Sequence, residues 1–274
     1  MMRKNHQIAK LFAVAVLAAA LTTGCGSKVK SVTDKFENSV IGEDSGSGKL
    51  VSLGKKSFGQ GEFDKLLIRT DAMEIEIAEN SGNFAEVELL VDDNIANQFT
   101  FDGDIRSREL NIDVKEKSKL SVKDQTGQRK LRISLPDKTY RQLTVRNAFG
   151  VVQASDVKAE LIEVKVDAGA IRLNGVSGKM DLKTSAGEVT VEGIRLDYDL
   201  NAKADVGNVT VHLSESPSNA EVRLESEVGK AAADLERIEY SVNKSNKKVG
   251  TIGSGGVRLS VNSSVGEILV DVQS

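Results

Sequence analysis

The chain has 274 residues, with 37 Lys plus Arg against 40 Asp plus Glu, so it is close to neutral and lacks the basic excess of a nucleic-acid binder. A single Cys excludes an intramolecular disulfide framework, and two His, one of them His6, leave no histidine-rich metal site. Eight Phe, three Tyr and no Trp leave few aromatic platforms for bases or sugar rings, while 24 Gly against 2 Pro suit long regular structure punctuated by turns.

The chain opens with Arg3, Lys4 and Lys10, followed by Leu11 to Leu21, eleven apolar residues without a break. Eleven is too short for a bilayer-spanning helix, which needs about 20 residues, and fits the hydrophobic region of a secretory signal. Thr22-Thr23-Gly24-Cys25 then resembles the lipobox of bacterial lipoproteins: a small residue precedes the cysteine, with Thr22 where Leu is usual. The resemblance implies cleavage after residue 24, acylation of Cys25 and attachment to the membrane through that lipid. Loss of residues 1–24 removes three basic groups and no acidic ones, leaving 34 basic against 40 acidic residues. The address implied is extracytoplasmic. It is the outer face of the cytoplasmic membrane or, in a two-membrane envelope, the periplasmic or outer-membrane side.

Residues 25–61 read as a flexible tether. Gly, Ser and charged residues dominate and no apolar period persists. About 35 such residues reach roughly 30–35 Å. Gly48-Lys49 is no P-loop, because Glu43 and Leu50 stand where Gly and Ser or Thr are required. Gly253-Ser254-Gly255-Gly256 is no dinucleotide fingerprint, because position 258 is Arg. No motif calls for a cofactor.

Residues 62–274 are built on an internal repeat. Seven segments align, beginning at Leu66, Leu143, Ile162, Met180, Leu200, Val222 and Leu259. Six share an anchor glycine (Gly150, Gly169, Gly187, Gly207, Gly229 and Gly266), spaced by 19, 18, 20, 22 and 37 residues, and the first has Met73 there. Apolar residues recur seven and five positions before the anchor and two and four after it. This is the period of two half-buried strands per repeat, with the glycine at a bend or positive φ. A lone coil of this size buries too little apolar surface to offset the ordering of its backbone, so coils must stack. The expected fold is all-β: a single-stranded β-solenoid, a parallel β-helix-like stack of coils of about 19 residues, each column becoming a ladder at about 4.8 Å spacing.

Residues 78–135 fit the repeat less well. EVELLV, ELNIDV and KLRISL still read as strands and are expected to form the amino-terminal end of the stack or its cap. VGTIG around Gly250 reads as a decayed coil within the 37-residue gap, and the run from Asn243 to Lys248 as an exposed loop or hairpin. The stretch RISLPDKTYRQLTVRNAFG followed by tandem glycine-centred repeats resembles the bacterial "putative adhesin" family of domains of unknown function. That resemblance implies an extracytoplasmic, often membrane-anchored β-solenoid and brings no catalytic residues with it.

Two columns carry charge. Four positions before the anchor stand Arg69, Arg146, Lys165, Lys183 and Lys203. Stacked in register, and interrupted only where residues 78–135 intervene, they form a basic row that could hold an anionic wall or surface polymer. The plainer reading is a solvated face that keeps the protein soluble. Two positions before the anchor stand Asp71, Asp167, Asp205 and Glu227, read as turn formers rather than metal ligands, since the paired glycines of calcium-binding repeats are absent. His212 lies on a strand and is expected to face outward. The function that follows is a lipid-anchored cell-envelope module that binds or supports without catalysis. Its partner is a wall or surface polymer or an envelope protein. The alternatives are a sensory accessory acting through a membrane protein and, with acids scattered along the chain, a polysaccharide-cleaving β-helix enzyme. Nothing in the sequence fixes the oligomeric state.

Overall fold

The computed structural model describes residues 48–117 and 127–273. The signal, Cys25 and the tether as far as residue 47 lie outside them. The described chain is all β and solenoid-like, its strands joined in one open sheet around a single apolar core.

The middle of the stack follows the chain. Strands β8 (Thr139–Ser155), β9 (Lys158–Asn174) and β10 (Ser177–Ile194) each form nearly a whole coil and pair in parallel. β11 (Leu200–Val206) and β12 (Val209–Leu213) make the next coil, broken at its anchor. The columns read from sequence are the core. Seven before the anchor, Leu66, Leu143, Ile162, Met180, Leu200, Val222 and Leu259 are all buried. The other three apolar columns are buried throughout except for the half-buried Ala233.

The anchor column explains its own glycines. Gly169, Gly187 and Gly207 have φ of +136°, +142° and +139°. A Cβ on Gly187 would lie 1.6 Å from the Gly169 carbonyl oxygen, and one on Gly207 would lie 1.6 Å from that of Gly187. Stacking thus requires glycine twice over, for backbone conformation and for close approach of the next coil. Met73 heads the column. Parallel pairing on its far side stops at Arg69 with Asp113 and resumes at Glu74 with Lys130, so among the described residues no ladder partner stands opposite it there.

Three positions before the anchor runs a buried column that the alignment of apolar residues did not expose. Three of its polar members bond the anchor carbonyl of the adjacent coil: Asn147 Nδ2 donates to Met73 O at 2.8 Å, Ser263 Oγ to Gly207 O at 2.9 Å and Ser226 Oγ to Gly266 O at 2.8 Å. Thr70 Oγ1 donates to Asn147 Oδ1 at 2.7 Å. Bonding of this kind makes burial of these polar groups tolerable, and Thr184 of the same column is the exception, its buried hydroxyl having no hydrogen-bond partner among the described residues.

Both ends depart from chain order. β2 (Lys65–Ala72) and β3 (Glu74–Asn80) form a coil that pairs directly with β8, so residues 78–135 do not intervene between Arg69 and Arg146. On its other side lie β6 (Glu109–Glu116) and β7 (Arg129–Pro136). Antiparallel strands β4 (Phe84–Asp92) on β7 and β5 (Phe99–Arg106) on β6 finish this end, the cap expected for this stretch.

The other end corrects the expected order of coils. β17 (Val257–Val265) and β18 (Ile268–Val272), last in sequence, insert between the β11–β12 coil and the coil of β13 (Ala220–Val228) and β14 (Ala231–Ala233). The 37-residue spacing before Gly266 is the excursion that makes this return possible. VGTIG is not a decayed coil. It lies in β16 (Lys247–Ile252), which runs antiparallel to β13 and forms a hairpin with β15 (Ile238–Lys244). The hairpin turn closes the last coil: Ser226 N donates to Asn246 O at 2.9 Å and Ala231 N to Ser245 O at 2.9 Å.

One part of the tether is structured. β1 (Leu50–Gly59) pairs antiparallel with β4, and Leu53 and Phe58 pack on the core. Its alternation is masked in sequence by a bulge between Ser52 and Gly54, which resets the register. Lys55 bonds Glu86 at 2.8 Å and Lys56 bonds Asp102 at 2.7 Å, so two residues that look like linker charge are cross-strand partners.

Candidate functional site

The structure assembles the five cations of the expected row. Arg69 pairs in register with Arg146, Arg146 with Lys165, Lys165 with Lys183 and Lys183 with Lys203. At about 4.8 Å per layer the row runs for about 19 Å. Asp113 stops it at one end, 3.1 Å from Arg69. At the other end the inserted strand β17 places Asn262 beside Lys203, with Glu225 beyond.

The surroundings of the row change its electrostatic character. Five carboxylates flank it: Glu163 and Asp181 two positions earlier on their strands, and Asp71, Asp167 and Asp205 two positions later. Lys165 Nζ is 3.2 Å from Asp167 Oδ1 and Lys203 Nζ is 3.2 Å from Asp205 Oδ1. Glu163 accepts from Gln142 Nε2 at 2.7 Å and from Thr144 Oγ1 at 3.2 Å, and Asp181 accepts from Asn201 Nδ2 at 3.1 Å. The face is therefore a lattice of alternating charge, with Arg146 and Lys183 as its exposed cations outside any ion pair among the described residues. Exposed pairs of this kind add little stability, typically about 0–1 kcal/mol each, and their main effect is to fix side-chain positions.

The acidic column is interrupted. Ala148 and Ser185 separate Asp71, Asp167 and Asp205, and among the described residues no three acidic, Cys or His side chains gather as ligands. His212 is partly exposed on β12, and its Nδ1 contacts Asp271 Oδ1 of the inserted coil, with which it pairs in register. Asp113, Asn262 and Asp271 are the partners that reading along the chain missed. They lie 44 to 59 residues from the groups they meet, and no local pattern links them.

Residues 143–271 match the family model Toastrack DUF4097. That stretch, a little under half of the chain, is similar to a Toastrack domain. The matched stretch starts in β8 and ends in β18, so it contains the middle of the stack, the closing hairpin and the inserted coil. The amino-terminal cap lies before it. No curated protein matches the chain in sequence. Among solved structures it is similar to a putative cell adhesion protein from Clostridium sporogenes ATCC 15579, with 13% identity, 83% of this chain and 100% of that chain covered, and a TM-score of 0.45. It is similar also to a putative adhesin from Bacteroides fragilis NCTC 9343, with 15% identity, 83% and 98% covered, and a TM-score of 0.42. A third is a putative lipid binding protein from Parabacteroides distasonis ATCC 8503, with 10% identity, 84% and 98% covered, and a TM-score of 0.30.

Proposed function

We propose that this protein is a lipid-anchored cell-envelope module that binds or supports, without catalysis. The observation that carries the reading is the exposed charged lattice. Its groups are held in register on a continuous sheet, some in ion pairs and Arg146 and Lys183 outside them, an arrangement suited to repeated weak contacts with a polymer or a protein surface. The anchoring half of the reading rests on Cys25, the one Cys of the chain, at the position where acylation requires it. Two or more acyl chains give stable attachment where one is marginal. Chain order supports the same picture. The described chain enters at β1, in the amino-terminal cap, so the β15–β16 hairpin lies at the far end of the stack from the tether.

Crosslinking in living cells followed by identification of the captured species tests the reading. A wall or surface polymer, or a single envelope protein, is the expected catch. Turnover of wall glycans by the purified protein would overturn it. Cys25→Ser is expected to release the protein from the membrane fraction and abolish labelling by an alkyne fatty acid.

A further inference from the structure

A groove of about 610 Å³ crosses the outer face of β10, β11, β17 and β13, with Val249–Thr251 of β16 among its lining residues. It exists because of the inserted coil. β17 brings Ser260 into register between Asn201 of β11 and Arg223 of β13. Asp181, Asn201, Ser260 and Arg223 form one ladder, and the short side chain of Ser260 leaves the floor low between Asn201 and Arg223. Four strands at about 4.8 Å spacing make the groove about 14 Å long.

Its charges are balanced, set among apolar surface from Met180, Leu200, Val222 and Leu259. Lys179, Arg223 and Arg258 are matched by Asp181, Asp199 and Glu221. Two of the cations are held internally. Arg258 Nη2 lies 3.0 Å from Asp199 Oδ2 while its backbone N–H donates to Asp199 Oδ1 at 2.9 Å, and Arg223 lies 2.9 Å from Glu225. The backbone N–H of Arg258, together with its guanidinium, holds the Asp199 carboxyl below the usual carboxylate range. Ser260, Thr251, Asn201, Glu221 and Lys179 then present hydroxyls, an amide oxygen, a carboxylate and an amine along the same trough. Tyr198, 51% exposed, directly precedes Asp199.

These features select a ligand class. A polyanion would find as many carboxylates as cations. An extended peptide would find no strand edge, since β10, β11, β17 and β13 are each paired on both sides. A chain of hydroxyls that donate and accept along its whole length fits the mixed lining, and a sugar ring repeats on nearly the scale of the strand spacing. We propose that this groove binds an uncharged glycan segment several sugar rings long. The proposal rests on the reading of the protein as a binding module and adds the site and the ligand class.

The test is titration calorimetry of the full chain in detergent against N-acetylglucosamine oligomers of two to six units. Saturable binding that strengthens up to about the length of the groove is expected. Ser260→Trp fills the floor and should weaken it roughly tenfold or more, and Glu221→Gln, which removes a rim acceptor without adding bulk, should weaken it by less. Gln153→Trp, which puts the same indole on the other half of the coil, should leave it unchanged, with all variants melting as the parent does. Equal binding by Ser260→Trp, or no saturable binding of any oligomer, overturns the groove. Retention on poly(glycerol phosphate), lost on reversing Lys165, Lys183 and Lys203 to Glu, with no sugar binding, also overturns it but leaves the binding-module reading standing. Glycan turnover would overturn that reading instead.

Discussion

The middle of the stack and its carboxy-terminal end are made of the same repeat and are assembled differently. In β8, β9 and β10 each coil lies on the one before it in sequence, so ordering one coil presents a template to the next. At the carboxy-terminal end the β13–β14 coil has no contact through its ladder with β11–β12. The two are joined by β17–β18, synthesised last. Local repetition builds the middle, whereas the end is closed by a return across some 60 residues, with a higher loop-closure cost. The amino-terminal end uses the same device, with β2–β3 held between β6–β7 and β8. At both ends the antiparallel strands β4, β5, β15 and β16 take the place of further coils and limit the open parallel edge on which another chain could pair.

The sharpest way to break the contrast is to remove the inserted coil. Deleting residues 257–274 uncovers Leu200 and Ala202 on one side and Val222 and Leu224 on the other, all buried in the intact chain. Amides of β13 to β16 are expected to lose protection from hydrogen exchange entirely while those of β8 and β9 keep theirs. Uniform loss across all strands would mean that middle and end are one cooperative unit.

The middle has its own weak point. Gly187→Ala places a Cβ 1.6 Å from the Gly169 carbonyl oxygen at φ +142°, so two coils must separate or the backbone must refold. A loss of roughly 4 kcal/mol or more in denaturant unfolding is expected, the range reached when strain and steric conflict act together. A loss under about 1 kcal/mol would show that the glycine ladder is not a requirement of stacking.

A smaller effect separates the amino-terminal end. Lys130 of β7 lies 2.8 Å from Glu76 and 3.1 Å from Glu74 of β3. Burial raises the Glu76 carboxyl, and the bonds and charges of Lys130 and Arg132 outweigh it, so the net direction is below the usual carboxylate range. The stabilisation from Glu76 is therefore complete above its ordinary titration range and is lost as pH falls through its lowered folded value. Glu76→Gln should flatten the acid limb of stability against pH by less than about 1 kcal/mol, since these side chains are only partly buried and still screened by solvent. An acid limb of unchanged slope would place the acid sensitivity elsewhere.

The sequence made the coil legible and hid its order. Period-two alternation around the glycines is local, and it located the buried columns at Leu66, Ile68, Ile75 and Ile77 and their counterparts in every later coil. It carried nothing about which coil lies beside which, because the column residues are interchangeable aliphatics: Val222 or Leu259 fits equally well beside Leu200. The row from Arg69 to Lys203 was legible for the same reason that the core was. The residues that end it, Asp113 and Asn262, were not, since they arrive through the displaced strands. β1 was hidden by one bulge at Gly54. The floor of the groove was hidden because Ser260 acquires its meaning only once β17 lies between β11 and β13.

The order of the last coils is the centre of the account, and paired cysteines read it directly. In a Cys25→Ser background, Lys203→Cys with Asn262→Cys places two cysteines on adjacent parallel strands at about 4.8 Å, within the 4.4–6.8 Å that a disulfide spans between Cα atoms. Lys203→Cys with Glu225→Cys places them two layers apart, at roughly 9.6 Å and beyond reach. Mild oxidation is predicted to crosslink the first pair and leave the second as free thiols. Crosslinking of the second pair with the first left free would place the coils in chain order and contradict the insertion.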